Sequence, residues 1–143
     1  MKKKIIILSG GYSKERAISL NTGREVFKSL KKKYKVKLLD PKGNLIKELR
    51  KFKPHIVFNA LHGRFGEDGY IQALLEKEKI KYTHSGVLSS SISIDKELSK
   101  KIFKQNSILT PKSVKLSNIN NINIKKLINK IKKKLKFPVV IKP

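Results

Sequence analysis

Three short aliphatic blocks, Ile5-Ile6-Ile7-Leu8, Ile56-Val57-Phe58 and Val139-Val140-Ile141, limit what this chain can fold into. Each is apolar at every position, which is the pattern of a strand buried on both faces rather than one with a wet side. A helix-length segment, a further strand-like run and a short helical one lie between the first two blocks. Strand, helix, strand in that order implies parallel pairing, because parallel neighbours need a crossover and cannot be joined by a tight hairpin.

Residues 4–9 read as the first strand, and Gly10-Gly11-Tyr12-Ser13 as the turn after it. Ser13 is placed to cap a helix running to about Leu30, with Ile18, Val26, Phe27 and Leu30 on its apolar face. Lys31-Lys32-Lys33 closes that helix, where cations complement the negative end of the dipole. A second strand over 34–40, a turn at Pro41-Lys42-Gly43, a helix over 44–52 and a third strand over 55–61 follow. A helix over 70–79 and a fourth, short strand over 80–83 complete an α/β unit, a Rossmann-like parallel sheet. From Leu88 the composition shifts to small and hydroxyl residues, and a charged helix runs from Asp95 to about Gln105. The boundary is therefore expected near 90–96, giving domains 1–94 and 95–143. Thr110-Pro111 opens an extended segment, and 117–123 is a polar connection. Ile124, Leu127, Ile128, Ile131 and Leu135 line one face of a helix over 124–136. Such a basic amphipathic helix could lie on a membrane, but the strand-like 137–143 directly after it favours packing on a sheet. A second domain that stops on that strand is incomplete, and the chain reads as a fragment.

The 143 residues suffice for one domain or one and a half. A net charge of +25 would ordinarily point to nucleic acid or an anionic surface. Only four of the 35 basic residues are arginine, however, and phosphate forks and base edges favour arginine. The lysines are spread along the chain beside abundant Ile and Asn, the bias that AT-rich codons produce. No specific nucleic-acid partner is expected, only salt-sensitive sticking. No apolar run approaches the roughly 20 residues of a membrane span, and no small-residue cleavage site follows Met1-Lys2-Lys3-Lys4, so neither membrane nor signal peptide is expected. The absence of cysteine excludes a disulfide framework and a thiolate metal site, and suits the cytoplasm.

Two loops carry chemistry. Gly10-Gly11-Tyr12-Ser13-Lys14-Glu15-Arg16 joins a strand to a helix, on the sheet edge where ligands of open parallel sheets sit and where a helix N-terminus attracts anions. It lacks the GxGxxG pattern, so nicotinamide binding is unsupported. Glu15 suits dipole complementation or a substrate ammonium equally well from its position. His62-Gly63-Arg64-Phe65-Gly66-Glu67-Asp68-Gly69 leaves the third strand on the same edge. Three glycines there cost backbone entropy unless special dihedrals or close approach require them.

His62 to Ala73 matches, position for position, the signature of the D-alanine–D-alanine ligases, members of the ATP-grasp superfamily. The Gly10–Arg16 opening, Ile18-Ser19-Leu20, Asp40-Pro41-Lys42, Tyr82-Thr83, Ser85-Gly86-Val87 and Ser93-Ile94-Asp95-Lys96 also resemble that family, in order and spacing. The resemblance implies a pre-ATP-grasp domain followed by the start of an ATP-grasp domain. It implies ATP-dependent joining of two D-alanines through a D-alanyl phosphate, for peptidoglycan, with Mg²⁺ or Mn²⁺. It makes Glu15 and His62 the catalytic residues, with Ile18 and Gly63 beside them in the D-alanine site, and Lys96 and Lys142 the lysines that reach the ATP phosphates. It also implies a homodimer, and a close variant of the family makes D-alanine–D-lactate.

The family's glycine- and serine-rich ATP loop and its metal ligands are expected beyond Pro143, so no metal site is expected in this chain, and by itself it should not turn over substrate. Disorder or aggregation is expected beyond about residue 96. A stand-alone α/β binding module, or the remnant of a decayed ligase gene, is the alternative reading. His84 departs from the pattern, standing where the family usually has glycine, and would be strained if that position needs a positive φ.

Overall fold

The computed structural model describes residues 2–116 and 123–142. The chain divides into two compact units, Met1–Lys96 and Glu97–Pro143. The first contains β1 (Lys4–Leu8), α1 (Arg16–Leu30), β2 (Lys35–Leu39), α2 (Leu45–Phe52), β3 (Ile56–Asn59), α3 (Tyr70–Lys77), β4 (Lys81–Tyr82) and α4 (Val87–Ile94). Its four strands are all parallel, in the order β2-β1-β3-β4.

The central position of β1 explains its uninterrupted apolar run. Successive side chains of a strand point to opposite faces, and here each face is covered. Ile6 and Leu8 pack with Leu45 and Leu49 of α2, Val57, and Ile71 and Leu75 of α3. Ile5 and Ile7 pack with Val26, Phe27 and Leu30 of α1. α1 therefore lies on one face and α2 and α3 on the other. The expected apolar face of α1 holds at those three residues and fails at Ile18, which is 58 % exposed. The residues that seat α1 are small instead: Ser19 is fully buried, and a Cβ on Gly23 would come within 2.5 Å of the Ser9 Cβ.

β2, at the edge, is only partly covered, and polar residues alternate through it accordingly. Asn44 caps α2, its side chain accepting from the Lys47 N–H at 3.0 Å. The small-residue run after Leu88, expected only as a change of pattern, is α4. Its serines bond to backbone, with the Ser90 hydroxyl donating to Ser85 O and the Ser91 hydroxyl to Asp68 O.

α5 (Lys96–Gln105) runs into the second unit. There the Lys100 ammonium donates to Pro111 O at 2.6 Å and Lys115 pairs with Glu97. α6 (Ile124–Lys134) is capped by Asn123, which accepts from the Lys126 N–H, and has no buried residue. The strand expected over 137–143 is not formed by its described residues, and Val140 and Ile141 are each 82 % exposed. A strand needs a neighbour's N–H and C=O groups, and no described residue of this unit forms a ladder with it. The polar connection expected over 117–123 lies, apart from Asn123, outside the described residues, as does Pro143.

Candidate functional site

From β1 the chain crosses to β2 on one side, then returns past β1 to β3 on the other. The loops leaving the carboxyl ends of β1 and β3 therefore lead to helices on opposite faces and open a crevice between them, the usual ligand position in such sheets.

The first loop is fastened at both ends. Ser19 accepts the Gly10 N–H at 2.8 Å and donates to Ala60 O at 2.7 Å, tying β1, α1 and β3 together inside the core. Asp40, at the end of β2, accepts the Gly11 N–H at 3.1 Å and pairs with the Arg16 guanidinium at 2.6 Å, while Arg16 also donates to Gly11 O. Burial alone would raise the Asp40 carboxyl. The Arg16 guanidinium and the N–H groups of Gly11 and Lys42 outweigh it and hold that carboxyl below its ordinary value. Gly10, at φ 97°, has no room for a side chain against this ion pair.

Ser13 was expected to cap α1, and the structure corrects this. Its hydroxyl accepts the Glu15 N–H within the preceding turn, and Glu15 itself occupies the N-cap position without a side-chain cap bond. The Glu15 carboxylate is thus not spent on its own helix. It reaches Gly63 on the second loop, where an added Cβ would meet Glu15 Oε2 at 2.8 Å. No described residue forms an ion pair with it.

In the second loop the acidic residues build the backbone. Glu67 Oε2 accepts the Gly63 N–H at 2.7 Å, and Asp68 accepts the N–H groups of Phe65 and Tyr70. Gly63 takes φ 69°, a conformation that glycine alone adopts without strain. Phe65, at φ 75°, is held by rings on either side, Tyr12 at 5.2 Å and Tyr70 at 5.0 Å between centroids. His62 is half-buried between two oxygens. Its Nε2 lies 3.4 Å from the Thr22 hydroxyl of α1, and its Nδ1 lies 3.8 Å from Glu67. Thr22 donates to Ile18 O, so its oxygen is free to accept from the ring. Glu15, Ile18 and Thr22 recur at helical spacing along α1, which brings Ile18 onto the side of the helix that meets His62.

Beyond β3 and β4 lies an open cleft of about 480 Å³, lined by Glu67, Thr83, His84, Ser85, Ser90, Ser93, Ile94 and Lys96. His84 does not take a positive φ, so the strain expected there is absent. Its Nδ1 faces two amides, Asn59 Nδ2 at 3.0 Å and Gln72 Nε2 at 3.4 Å, both of them on buried residues that also donate to Gly66 O.

The fold thus gathers Glu15, Ile18, His62 and Gly63 at one sheet edge and puts Lys96 on the cleft that shares Glu67 with them. Lys142 is exposed in the second unit. Thr22, Glu67 and the amides of Asn59 and Gln72 had been given no role. A polar residue ending an apolar strand, and another on the inward face of α3, were the legible signals for the amides. No three His, Cys, Asp or Glu residues gather where a metal could sit, among the described residues. No described helix is long and apolar enough to cross a membrane.

Residues 40–85 match the family model described as D-ala D-ala ligase N-terminus. The D-alanine–D-alanine ligase of Pelagibacter ubique is 62 % identical over 145 residues, covering all of this chain and 47 % of that protein. That of Carboxydothermus hydrogenoformans is 46 % identical over 97 % of this chain and 45 % of its own length. Among solved structures, the D-alanine–D-alanine ligase of Bacillus anthracis complexed with ATP aligns with a TM-score of 0.71 at 34 % identity, over 90 % of this chain and 43 % of that one. The chain spans about half the length of the curated relatives it matches.

Proposed function

Because this chain belongs with the N-terminal part of the D-alanine–D-alanine ligase family, we propose that it carries the half-site for the first D-alanine and two lysine contacts to ATP, in the joining of two D-alanines through a D-alanyl phosphate. One observation carries the reading. Glu15 is a carboxylate without a cationic partner among the described residues, pressed against Gly63, the neighbour of His62 in the second loop.

In this reading Glu15 accepts the substrate ammonium, a charge-assisted bond of the strong kind. The side chain of Ile18 and the backbone of Gly63 shape the pocket around it. His62, steadied at one nitrogen by Thr22 and facing Glu67 with the other, places its ring beside the carboxylate that receives phosphate. Lys96 and Lys142 supply positive charge for the phosphates. The family implies Mg²⁺ or Mn²⁺. The described residues offer no cluster that would hold it, so the work of this chain is with the organic ligands. Homodimerisation and a cytoplasmic location belong to the same reading.

D-alanine titrated into the chain by calorimetry tests it. Glu15→Gln is expected to weaken binding on the order of ten- to a hundredfold, the worth of a hydrogen bond to a charged group. Equal affinity in the two proteins would remove Glu15 from the site. Phosphate release from ATP in the presence of D-alanine is expected to be absent from this chain alone.

A further inference from the structure

The ring of His84 is oriented by two buried amides. Asn59 Nδ2 and Gln72 Nε2 each donate to Gly66 O, at 2.8 and 3.0 Å, and a carbonyl can only accept. Those bonds fix which end of each amide faces the ring, and Asn59 Oδ1 is tied independently by the Leu61 N–H at 3.1 Å. Two NH₂ groups therefore point at His84 Nδ1, which has to accept. The ring proton then sits on Nε2, across the ring from the amides.

His84 lines the cleft together with Thr83, Ser85, Ser90, Ser93 and Lys96. Glu67 is the one carboxylate in that lining, and its oxygens are turned to the Gly63 N–H and towards His62. The arrangement leaves Gln72 Oε1 buried without a hydrogen-bond partner, a cost that an apolar contact in its place would avoid. A ring fixed in this way gives a defined donor direction, as supporting hydrogen bonds do at built sites.

We propose that His84 is a hydrogen-bond donor of fixed tautomer which, beside the Lys96 ammonium, holds a phosphate group in this cleft. The proposal rests on the reading of Lys96 as a phosphate-binding lysine and adds to it a directional partner that the family's usual glycine could not supply.

Two variants separate the roles. His84→Asn keeps an acceptor oxygen for the two amides and replaces the Nε2–H with a shorter amide NH₂ that does not reach as far into the cleft, whereas His84→Leu removes both acceptor and donor. With only three histidines in the chain, the His84 ring is identified in long-range ¹H–¹⁵N spectra by its loss in either variant. The expected result is an Nε2–H tautomer whose resonance moves on titration with ATP and with inorganic phosphate. Tighter binding of ATP would identify a nucleotide phosphate as the occupant, and equal affinities a free phosphate.

His84→Asn should keep the wild-type Tm and lose phosphate affinity on the order of ten- to a hundredfold, the worth of a hydrogen bond to a charged group. Neither variant removes a lysine or arginine, so the general attraction of a +25 chain for anions stays. His84→Leu should lower the Tm. An Nδ1–H tautomer, unchanged phosphate affinity in His84→Asn, or a Tm loss in His84→Asn equal to that of His84→Leu would each overturn the proposal. Lys96→Ala tells the two failures apart. If it weakens phosphate binding and His84→Asn does not, only the role of His84 fails; if neither does, the phosphate reading of the cleft fails with it.

Discussion

At the scale of single residues, the first loop is held in place by Asp40. Its carboxyl titrates below the ordinary 3.8 in the folded chain, with burial opposed by Arg16 and two backbone N–H groups. A depressed carboxyl adds stability above its unfolded value and loses it as pH falls through the folded one. Thermal unfolding of wild type and Asp40→Asn is therefore expected to differ at neutral pH, and the gap to close below the ordinary value of 3.8. A gap independent of pH would mean that the ion pair does not act through its charge. Tyr82 shifts in the other direction. Burial and the bond its hydroxyl donates to Glu76 at 2.6 Å push it up to about 12. A raised value adds stability that is full below the ordinary 10.0 and lost as pH rises towards 12. Absorbance at the tyrosinate band should show one of the four tyrosines ionising late, and Tyr82→Phe should delete that component. The opening sequence made Glu15, His62 and Gly63 stand out because their loops leave strands on one edge. It could not place Thr22 or Gln72, whose roles depend on neighbours 40 and 12 residues away.

At the scale of elements, strands and helices were legible where apolar period and length agreed. β1 and β3 are apolar because both faces are covered, and α2 and α3 follow their inward residues. The start of α1 was misplaced because a hydroxyl before a helix can serve a turn as readily as a cap, and here it serves the turn. The final strand was misjudged because apolar character describes a strand's needs and not its partner. Packing between elements gives the sharpest expectations. Leu49 of α2 is fully buried, and Leu49→Ala should cost about 2–5 kcal/mol in denaturant unfolding. Gly23 brings α1 against Ser9, and Gly23→Val should cost about 1–3 kcal/mol or more by overpacking. A smaller loss at Gly23 than at an exposed position of the same helix would refute the close seating of α1 on β1.

At the scale of the whole molecule, both core clusters end by Tyr82, and no member of either lies in the second unit. A chain cut after Lys96 should therefore keep a cooperative melt close to that of the full chain, and a melt lost on that cut would show that the core draws on residues 97–143. The order of the strands also has a consequence in time. β1, α1 and β2 can come together first and already contain Glu15, yet Gly63 arrives only when β3 has crossed to the far side of β1. Such distant pairings form slowly, because the intervening chain must close before its contacts hold it. During refolding the edge that brings Glu15 and Gly63 together is therefore completed last, and the third strand is the clock that sets when it is whole.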